Sequence, residues 1–364
     1  EGYDTYKLFQ YTYSKDTPST PSKEVKVYSL EDNAQIRQAI AFFQKENPDI
    51  FVTMEVGTAG NDAVTVSDAL RTLNTNIMSG KGPDILVLDG MPLQSYLEKG
   101  LLTDLTEITN KIENAEGLVQ SIKNTYAEED KIQAIPTRFK MPLLQGRKGD
   151  IENINDLSTM VEQIGKLKKE NPDKGMLGNA EPGDLVEKLY ASNSPAWLKE
   201  DGTLNEDALK DFYTQLKQIY DSDAHTDAEE NAMVVGEDGK SSFYSINGGI
   251  GKLVGEENLL NVGLLSDFNQ YVQVVSANQA MGDGAVKLLN GQTDNVFVPM
   301  ATIGISSKSA DIKTAGTFVE FLLSKEAQNI NQGGGLPVNK AAFDEGIKTG
   351  SEGLLETVPY LTAS

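Results

Sequence analysis

The sequence predicts an α/β protein built from two lobes, and three observations support this prediction. The chain has 364 residues, more than the roughly 100 to 200 that a single domain usually holds. Strand-like and helix-like patterns alternate along residues 24–88, which is typical of a sheet covered by helices. Two extended segments, residues 135–145 and 295–305, are each followed by helical patterns. We interpret these segments as the places where the chain crosses between the lobes.

The first lobe begins with a β-α-β-α-β pattern. Residues 24–30 alternate like a strand, and apolar side chains in 36–43 recur at helical spacing. A second strand is predicted at 51–56, a second helix over 70–78 and a buried strand at 84–88. Strands that alternate with helices pair in parallel through right-handed crossovers. We therefore expect a parallel sheet in this lobe.

Capping residues predict where these helices begin and end. Ser67 is the expected N-cap of the second helix, and Gly80 is expected to end it. Pro92 at a helix start and Gly100 just past its end frame one more short helix. The predicted short helix thus follows directly on the third strand.

The two extended segments divide the chain into predicted parts. A Pro/Ser/Thr-rich stretch precedes the first strand and is typical of a linker. The predicted parts are an N-terminal linker (1–23), a first lobe (24–138 plus 301–364), a second lobe (139–300), and hinge strands near 137–142 and 297–301.

Charge and cysteine content exclude several classes of function. The formal net charge is -22, from 32 Lys+Arg against 54 Asp+Glu, and no basic cluster interrupts the acidic background. Nucleic acid and anionic lipid surfaces require a localised positive patch, so we expect neither as a partner. Because the sequence contains no cysteine, disulfides, thiolate metal sites and cysteine nucleophiles are excluded.

The sequence predicts no metal, no cofactor and no catalysis. His225 is the only histidine, so a catalytic triad or a histidine-rich zinc site would depend on it. The spacing of Asp221, Asp223 and Asp227 resembles a calcium loop without its glycine and glutamate, and a solvated acidic helix end is the alternative. The glycine-rich run 249–255 departs from the dinucleotide and P-loop patterns and is interpreted as a tight loop. A glycosidase-type pair of carboxylates remains open.

Three segments resemble one protein family. Residues 80–108 (GKGPDILVLDGMPLQSYLEKGLLTDLTEI) are similar to its strand, loop and short helix below the ligand cleft. Residues 135–145 (IPTRFKMPLLQ) and 298–343, with the helix AGTFVEFLLSKEAQ and the turn GGLPV, resemble its hinge strands and C-terminal helix. The family is the extracellular solute-binding protein family 1 of ABC importers, which includes maltose-binding protein. The resemblance implies a periplasmic-binding-protein-like fold of two α/β lobes with a hinge and an interlobe cleft.

The resemblance also implies a function. The chain is expected to capture a small polar ligand, an oligosaccharide in the first place, and to deliver it to an ABC transporter permease. It is expected to be a monomer located outside the cell, either lipid-anchored at the surface or periplasmic. Two alternatives are a glycan-active enzyme with an Asp/Glu pair and a ligand-sensing module without a transporter.

The first candidate site residues follow the third strand. Parallel sheets bind ligands at the carboxyl ends of their strands, where loops and helix N-termini present free N–H groups. Asp89, Gly90 and Met91 occupy such a position. Asp89 is the preferred polar contact, and capping of the helix that starts at Pro92 is the alternative.

Further candidates come from the crossings and from loops of the second lobe. Arg138 can form a bidentate contact to a ligand, with an ion pair as the alternative. Met300 lies on the second crossing, where core packing competes with ligand contact. Glu181 lies at the start of a helix, with capping of that helix as the alternative. Asn247 and Gly248 offer an amide and exposed backbone, with a plain turn as the alternative.

Trp197 is the last candidate and the only tryptophan. It is the one residue with a full stacking platform for a sugar ring, and the resemblance places its segment near the mouth of the second lobe. The alternative is a tryptophan buried under the following loop.

Overall fold

The computed structural model describes residues 22–58, 64–178, 182–199, 201–223, 246–330 and 334–357, the last seven of these for the backbone only. The chain divides into two compact units. The described residues of the first unit are 22–58, 64–108, 128–134 and 303–322, and those of the second lie within 109–127, 135–302 and 323–357.

The described residues contain ten strands. They are β1 (Lys23–Ser29), β2 (Ile50–Val56), β3 (Ile85–Val87), β4 (Ala127–Glu128), β5 (Lys131–Ile132), β6 (Ile135–Arg147), β7 (Leu260–Leu265), β8 (Gly284–Leu288), β9 (Val298–Ile305) and β10 (Leu336–Pro337).

The α-helices of the described chain number fourteen. They are α1 (Ala34–Glu46), α2 (Val66–Met78), α3 (Leu93–Glu98), α4 (Thr106–Ala115), α5 (Gln120–Thr125), α6 (Lys148–Ile151), α7 (Leu157–Glu170), α8 (Pro182–Asn193), α9 (Glu206–Ser222), α10 (Ile250–Val254), α11 (Phe268–Met281), α12 (Ile312–Leu323), α13 (Lys325–Ile330) and α14 (Lys340–Thr357).

The first unit is built on the predicted parallel sheet. β1 pairs in parallel with β2 on one side and with β3 on the other, and the end of β9 pairs antiparallel with β3. Helix α1 buries its apolar face, where the Phe43 ring lies 5.0 Å from the ring of Phe318 on α12. The β-α-β-α-β pattern read from the sequence is therefore confirmed.

The helix ends agree in part with the expected caps. Helix α1 is capped by Asn33, whose side chain accepts the Ile36 N–H at 3.0 Å, and ends before Pro48. Helix α2 begins after Thr65, whose hydroxyl accepts the Asp68 N–H, so the expected N-cap Ser67 is wrong. Thr65 takes this place because its backbone is extended, as an N-cap requires.

The second unit contains an antiparallel sheet centred on the long strand β6. β7, β8 and β10 each pair antiparallel with β6. Helices α7, α8 and α9 bury apolar side chains in one core, which includes Met160, Ile164, Leu189, Phe212 and Ile219. Helix α7 is capped by Asp156, which exchanges hydrogen bonds with Thr159 in a capping box.

The predicted α/β two-lobe class is confirmed, while the lobe boundaries remain a prediction. The structure groups 109–127 and 323–357 with the second unit, whereas the sequence-based division places them in the first lobe. The chain passes between units after residues 108, 127, 134, 302 and 322. Among the described residues, no helix is long and apolar enough to cross a membrane.

Candidate ligand-binding site

The carboxyl edge of the parallel sheet in the first unit is the strongest place for a site. β1, β2 and β3 end there at Ser29, Val56 and Val87. The helices α1 and α3 begin within a few residues of these ends. Strand ends and helix N-termini leave backbone N–H groups without partners in their own element, and such an edge suits a polar ligand.

The loops at this edge are tied together by backbone hydrogen bonds. The Gly57 N–H donates to the Ser29 carbonyl at 2.8 Å, and the Thr58 N–H donates to the Leu30 carbonyl at 3.0 Å. A Cβ atom at Gly57 would lie 2.1 Å from the Tyr28 hydroxyl oxygen, so a larger residue there would displace the tyrosine ring. Burial raises the pKa of Tyr28, and the charge of Glu55 adds to this effect. The tyrosine therefore stays neutral beneath the loops.

The predicted triplet Asp89, Gly90 and Met91 forms a tight turn at the same edge. The Met91 N–H donates to the Leu88 carbonyl at 2.9 Å, and Gly90 has a φ of 73°. Met91 is buried, Asp89 is half-buried and Gly90 is exposed. The turn therefore presents an acidic side chain and open backbone at the strand ends, as expected. Contact with a ligand stays a prediction.

Arg138 lies inside the second unit and is 4% exposed. Its guanidinium donates to the carbonyl oxygens of Gly335 at 3.0 Å and Gln328 at 2.6 Å. Burial lowers the pKa of Arg138 to about 10. The side chain thus binds one carbonyl within α13 and one just before β10. A bidentate ligand contact by Arg138 remains a prediction.

Trp197 is half-buried and packs against the core of the second unit. Its ring lies 4.8 Å from the ring of Phe212 and 5.5 Å, edge to face, from that of Tyr190. The indole N–H donates to Gln292 Oε1 at 3.0 Å. Gln292 in turn donates to the Ala208 carbonyl at 2.8 Å, at the start of α9. These contacts account for the position of the indole without a ligand.

The remaining candidates lie on two elements of the second unit, with one exception. Asn247 and Gly248 belong to the short 3-10 helix Ile246–Gly249, where Gly248 is exposed and the Asn247 side chain falls outside the described residues. Asn261 fixes this helix, because its side-chain amide donates to the Ile246 carbonyl at 2.8 Å. Met300 is half-buried on β9. Glu181 lies outside the described residues.

The described candidates are divided between the two units. The turn at Asp89 belongs to the first unit, and Arg138, Trp197, Gly248 and Met300 belong to the second. Within the second unit these residues occupy different elements. A single site that includes both groups stays a prediction.

Sequence reasoning missed a buried charged group in the second unit. The Asp223 carboxylate accepts the N–H groups of Met176 at 2.5 Å, Leu177 at 2.9 Å and Gly178 at 2.8 Å. Asp223 is thus a buried loop anchor and not part of a solvated helix end. Lys188 is 9% exposed, and burial lowers its pKa to about 8, although Asp184 and Asp223 oppose the shift. No local sequence pattern indicates this buried carboxylate, because its partners are the backbone N–H groups of the loop at 176–178.

The described chain gives no support to a calcium loop near Asp221. No group of three His, Asp or Glu side chains is placed to hold a metal ion within the described residues. His225 and Asp227, the other members of the acidic run, lie outside these residues. The two carboxylates that are described serve other partners, because Asp221 pairs with Lys217 at 2.6 Å and Asp223 binds backbone N–H groups.

Comparison with known proteins gives the same family as the sequence pattern. The family described as "Bacterial extracellular solute-binding protein" matches residues 38–352. No curated protein sequence matches the chain.

Two solved structures show the likeness of the fold. One is an extracellular solute-binding protein family 1 member from Alicyclobacillus acidocaldarius, at 15% identity and a TM-score of 0.52, covering 95% of this chain and 89% of that chain. The other is the sugar-binding protein MalE from Xanthomonas citri, at 13% identity and a TM-score of 0.56, covering 90% and 82%. The family match spans most of the sequence, and the fold of these binding proteins extends over nearly all of it. The chain therefore belongs to the bacterial extracellular solute-binding proteins.

Proposed function

We propose that this protein captures a neutral oligosaccharide outside the cell and delivers it to an ABC importer. The observation that carries the proposal is the family match over residues 38–352. The fold it shares with a sugar-binding protein, at a TM-score of 0.56, supports a sugar as the ligand class. Function resides in sites rather than folds, so the ligand class requires its own argument.

The sheet edge of the first unit supplies that argument. The turn at Asp89 puts a carboxylate at this edge. The glycine beside it leaves backbone exposed next to the N-terminus of α3. Sugar hydroxyls both donate and accept hydrogen bonds, so they match a carboxylate acceptor beside N–H donors. Asp89 is the residue proposed to accept hydrogen bonds from ligand hydroxyls.

The net charge of the chain favours a neutral ligand over an anionic one. A protein of charge -22 repels anions over the whole surface unless a local positive group dominates. Arg138 is such a group, but its described hydrogen bonds go to two backbone carbonyls in the interior of the second unit. Neutral oligosaccharides escape this repulsion, and sugar acids do not.

The family also supports the partner and the absence of catalysis in this proposal. We infer that the protein acts as a monomer with an ABC transporter permease, and that it is held at the cell surface by a lipid anchor or kept in the periplasm. It binds its ligand without turning it over. A glycan-active enzyme and a sensing module without a transporter are the competing functions that experiment must separate.

A thermal-shift screen of the wild-type protein tests the ligand class. The panel contains maltotriose, xylotriose, galactobiose, a sugar acid, a polyamine and a short peptide. A ligand at 100 times its Kd stabilises the folded state by about 2.7 kcal/mol. Stabilisation by at least one neutral oligosaccharide is expected, and stabilisation by only the peptide or the polyamine would contradict the sugar assignment.

Two variants and one product analysis complete the test. Asp89→Asn should weaken binding of the sugar found in the screen at least tenfold. Glu46→Gln, which neutralises an exposed carboxylate on α1, should bind as the wild type does. Chromatography after long incubation with the same sugar should show it intact, because cleavage products would indicate the glycan-active enzyme instead.

A further inference from the structure

The hydroxyl group of Tyr28 has no hydrogen-bond partner among the described residues, although its side chain is enclosed. Tyr28 lies near the carboxyl end of β1 and is 4% exposed. In the described chain, Gln215 Oε1 is the only fully enclosed side-chain nitrogen or oxygen without a hydrogen bond, so the Tyr28 hydroxyl retains access to solvent. A polar group that is withdrawn from water and left unpaired is unfavourable, and phenylalanine would fill the same space without this cost. The hydroxyl is thus placed to bind a polar group that comes from solution.

The neighbouring Tyr96 has the internal hydrogen bond that Tyr28 lacks. Tyr96 lies on α3 and is 2% exposed. Its hydroxyl donates to Asn74 Oδ1 on α2 at 3.0 Å. Burial is the main cause of the raised pKa of Tyr28, and the charges of Glu55 and Tyr96 add to it, so the two tyrosines are near each other. They are alike in burial, but only the Tyr96 hydroxyl is satisfied within the described part of the chain.

The Tyr28 hydroxyl lies at the carboxyl edge of the parallel sheet in the first unit. A Cβ atom at Gly57 would lie 2.1 Å from the hydroxyl oxygen and 3.3 Å from the Ala69 methyl group. Gly57 directly follows β2, and Ala69 belongs to the first turn of α2. The missing side chain at Gly57 therefore leaves room for the hydroxyl between the end of a strand and the start of a helix.

The same edge carries the turn at Asp89. The backbone N–H and the hydroxyl of Thr58 both donate to the Leu30 carbonyl, at 3.0 and 2.8 Å. A Cβ atom at Gly90 would lie 3.4 Å from the Leu30 side chain. Leu30 therefore connects the loop that follows β2 to the turn that follows β3. A ligand that contacts both Asp89 and Tyr28 would lie on one continuous edge of the first unit.

We propose that Tyr28 is a ligand-contact residue whose hydroxyl forms a hydrogen bond with a hydroxyl group of the bound sugar. A neutral phenol both donates and accepts hydrogen bonds, as a sugar hydroxyl does, so the two groups match. The proposal rests on the proposed function and deepens it, because it adds a second polar contact beside Asp89. A site that holds such a group rejects an analogue that lacks the matching hydroxyl. Tyr28 thus contributes to the choice between sugars.

The variant Tyr28→Phe tests the contact, because it removes the hydroxyl and keeps the ring. The probes are maltotriose, xylotriose and galactobiose, each titrated by calorimetry. Any of these sugars that binds the wild type should bind Tyr28→Phe at least about fivefold weaker, since its hydroxyl loses its partner. The Tm of the unliganded variant should not fall, because no hydrogen bond within the described chain is lost.

The matched control is Tyr96→Phe, which removes one hydroxyl from a ring of similar burial in the same unit. Here the hydrogen bond to Asn74 is lost, so Tm should fall by about 2–4 °C. The affinity of the folded protein for the sugar should stay as in the wild type. The two variants should therefore show opposite effects on Tm and on affinity, which separates a ligand contact from internal support.

Mono-deoxy analogues of the sugar that binds identify the hydroxyl that Tyr28 contacts. The analogue without that hydroxyl should bind the wild type at least about fivefold weaker than the parent sugar does. It should bind Tyr28→Phe as tightly as the parent sugar does, because one hydrogen bond can be lost only once. Equal losses for wild type and variant with every analogue would overturn the proposal.

The remaining outcomes separate this proposal from the proposed function. If a sugar binds wild type and Tyr28→Phe equally well, the contact is refuted and the function stands. If Tyr28→Phe lowers Tm as much as Tyr96→Phe does, the hydroxyl has a partner within the protein, and the contact is refuted as well. If none of the three sugars binds the wild type, the proposed sugar function fails and the contact fails with it.

Discussion

Replacement of Trp197 by alanine should destabilise the protein much more than it weakens ligand binding. The indole packs on Phe212 and Tyr190, and its N–H donates to Gln292. Complete removal of a buried tryptophan side chain costs about 3–5 kcal/mol, and a half-buried one loses a correspondingly smaller amount. The lost hydrogen bond adds about 1 kcal/mol. We therefore expect a loss of about 3 kcal/mol in the free energy of unfolding.

This loss is large enough to measure in two ways. For a domain of about 150–250 residues, each 1 kcal/mol lowers Tm by about 2–4 °C, so a fall of about 6–12 °C is expected. Urea unfolding must be followed by circular dichroism, because the variant contains no tryptophan for fluorescence. Calorimetry with the sugar found in the screen then gives the affinity of the folded fraction.

Two variants locate the source of the effect. Trp197→Phe retains a ring beside Phe212 but removes the N–H, and should lower the free energy of unfolding by about 1 kcal/mol. Tyr190→Ala removes the aromatic neighbour, which is 53% exposed, and should lower the free energy of unfolding by less than Trp197→Ala does. An unchanged Tm together with an affinity loss of tenfold or more, about 1.4 kcal/mol, would refute the packing argument and make Trp197 a stacking platform.

Four further predictions follow from buried groups and from charge. Arg138→Met should lower the free energy of unfolding, measured in urea, by about 2–4 kcal/mol, because two buried carbonyl groups lose their donors. An unchanged free energy of unfolding would contradict the described contacts. Asp223→Asn should destabilise the protein by about 1–3 kcal/mol in the same assay, whereas Asp221→Asn, on the exposed side, should change it little. Burial lowers the pKa of Lys188 from its ordinary value of 10.5 to about 8, so the folded state releases the proton at a lower pH than the unfolded state does. As pH rises from 8 to 10.5, the free energy of unfolding of the wild type should therefore increase relative to that of Lys188→Met, by up to about 3 kcal/mol. A difference that does not change with pH would contradict the burial of the amine. Small-angle scattering should show a smaller radius of gyration when a neutral sugar is bound. The net charge predicts that a neutral sugar binds tighter than its acidic analogue, and tighter binding of the sugar acid would contradict this expectation.

The sequence predicted the parts of the candidate site that depend on local order along the chain. The alternation of residues 24–30 and the helical spacing before Pro48 indicated strand and helix correctly, since both patterns follow from periods of 2 and 3.6 residues. The position of Asp89 and Gly90 after a buried strand placed them at the carboxyl edge of a parallel sheet. Motifs spread over residues 80–343 indicated the family that comparison confirms.

Other features depend on residues that are far apart in the sequence. The partners of Arg138 lie 190 and 197 positions away, and the N–H groups bound by Asp223 lie 45 to 47 positions away. The hydrogen bond of Trp197 reaches Gln292, 95 positions along the chain. No local pattern encodes such pairs, because packing of the whole unit decides which groups meet and which lose contact with water.

The sequence by itself determined the class of the protein: its alternating strands and helices, the absence of cysteine chemistry, the acidic charge and the family to which it belongs. The tertiary structure alone decided what the singled-out side chains do. It made Arg138 a donor to two buried carbonyl groups and packed Trp197 against the core of the second unit. Composition and periodicity are properties of the chain, whereas the environment of a side chain is created only when distant segments pack together.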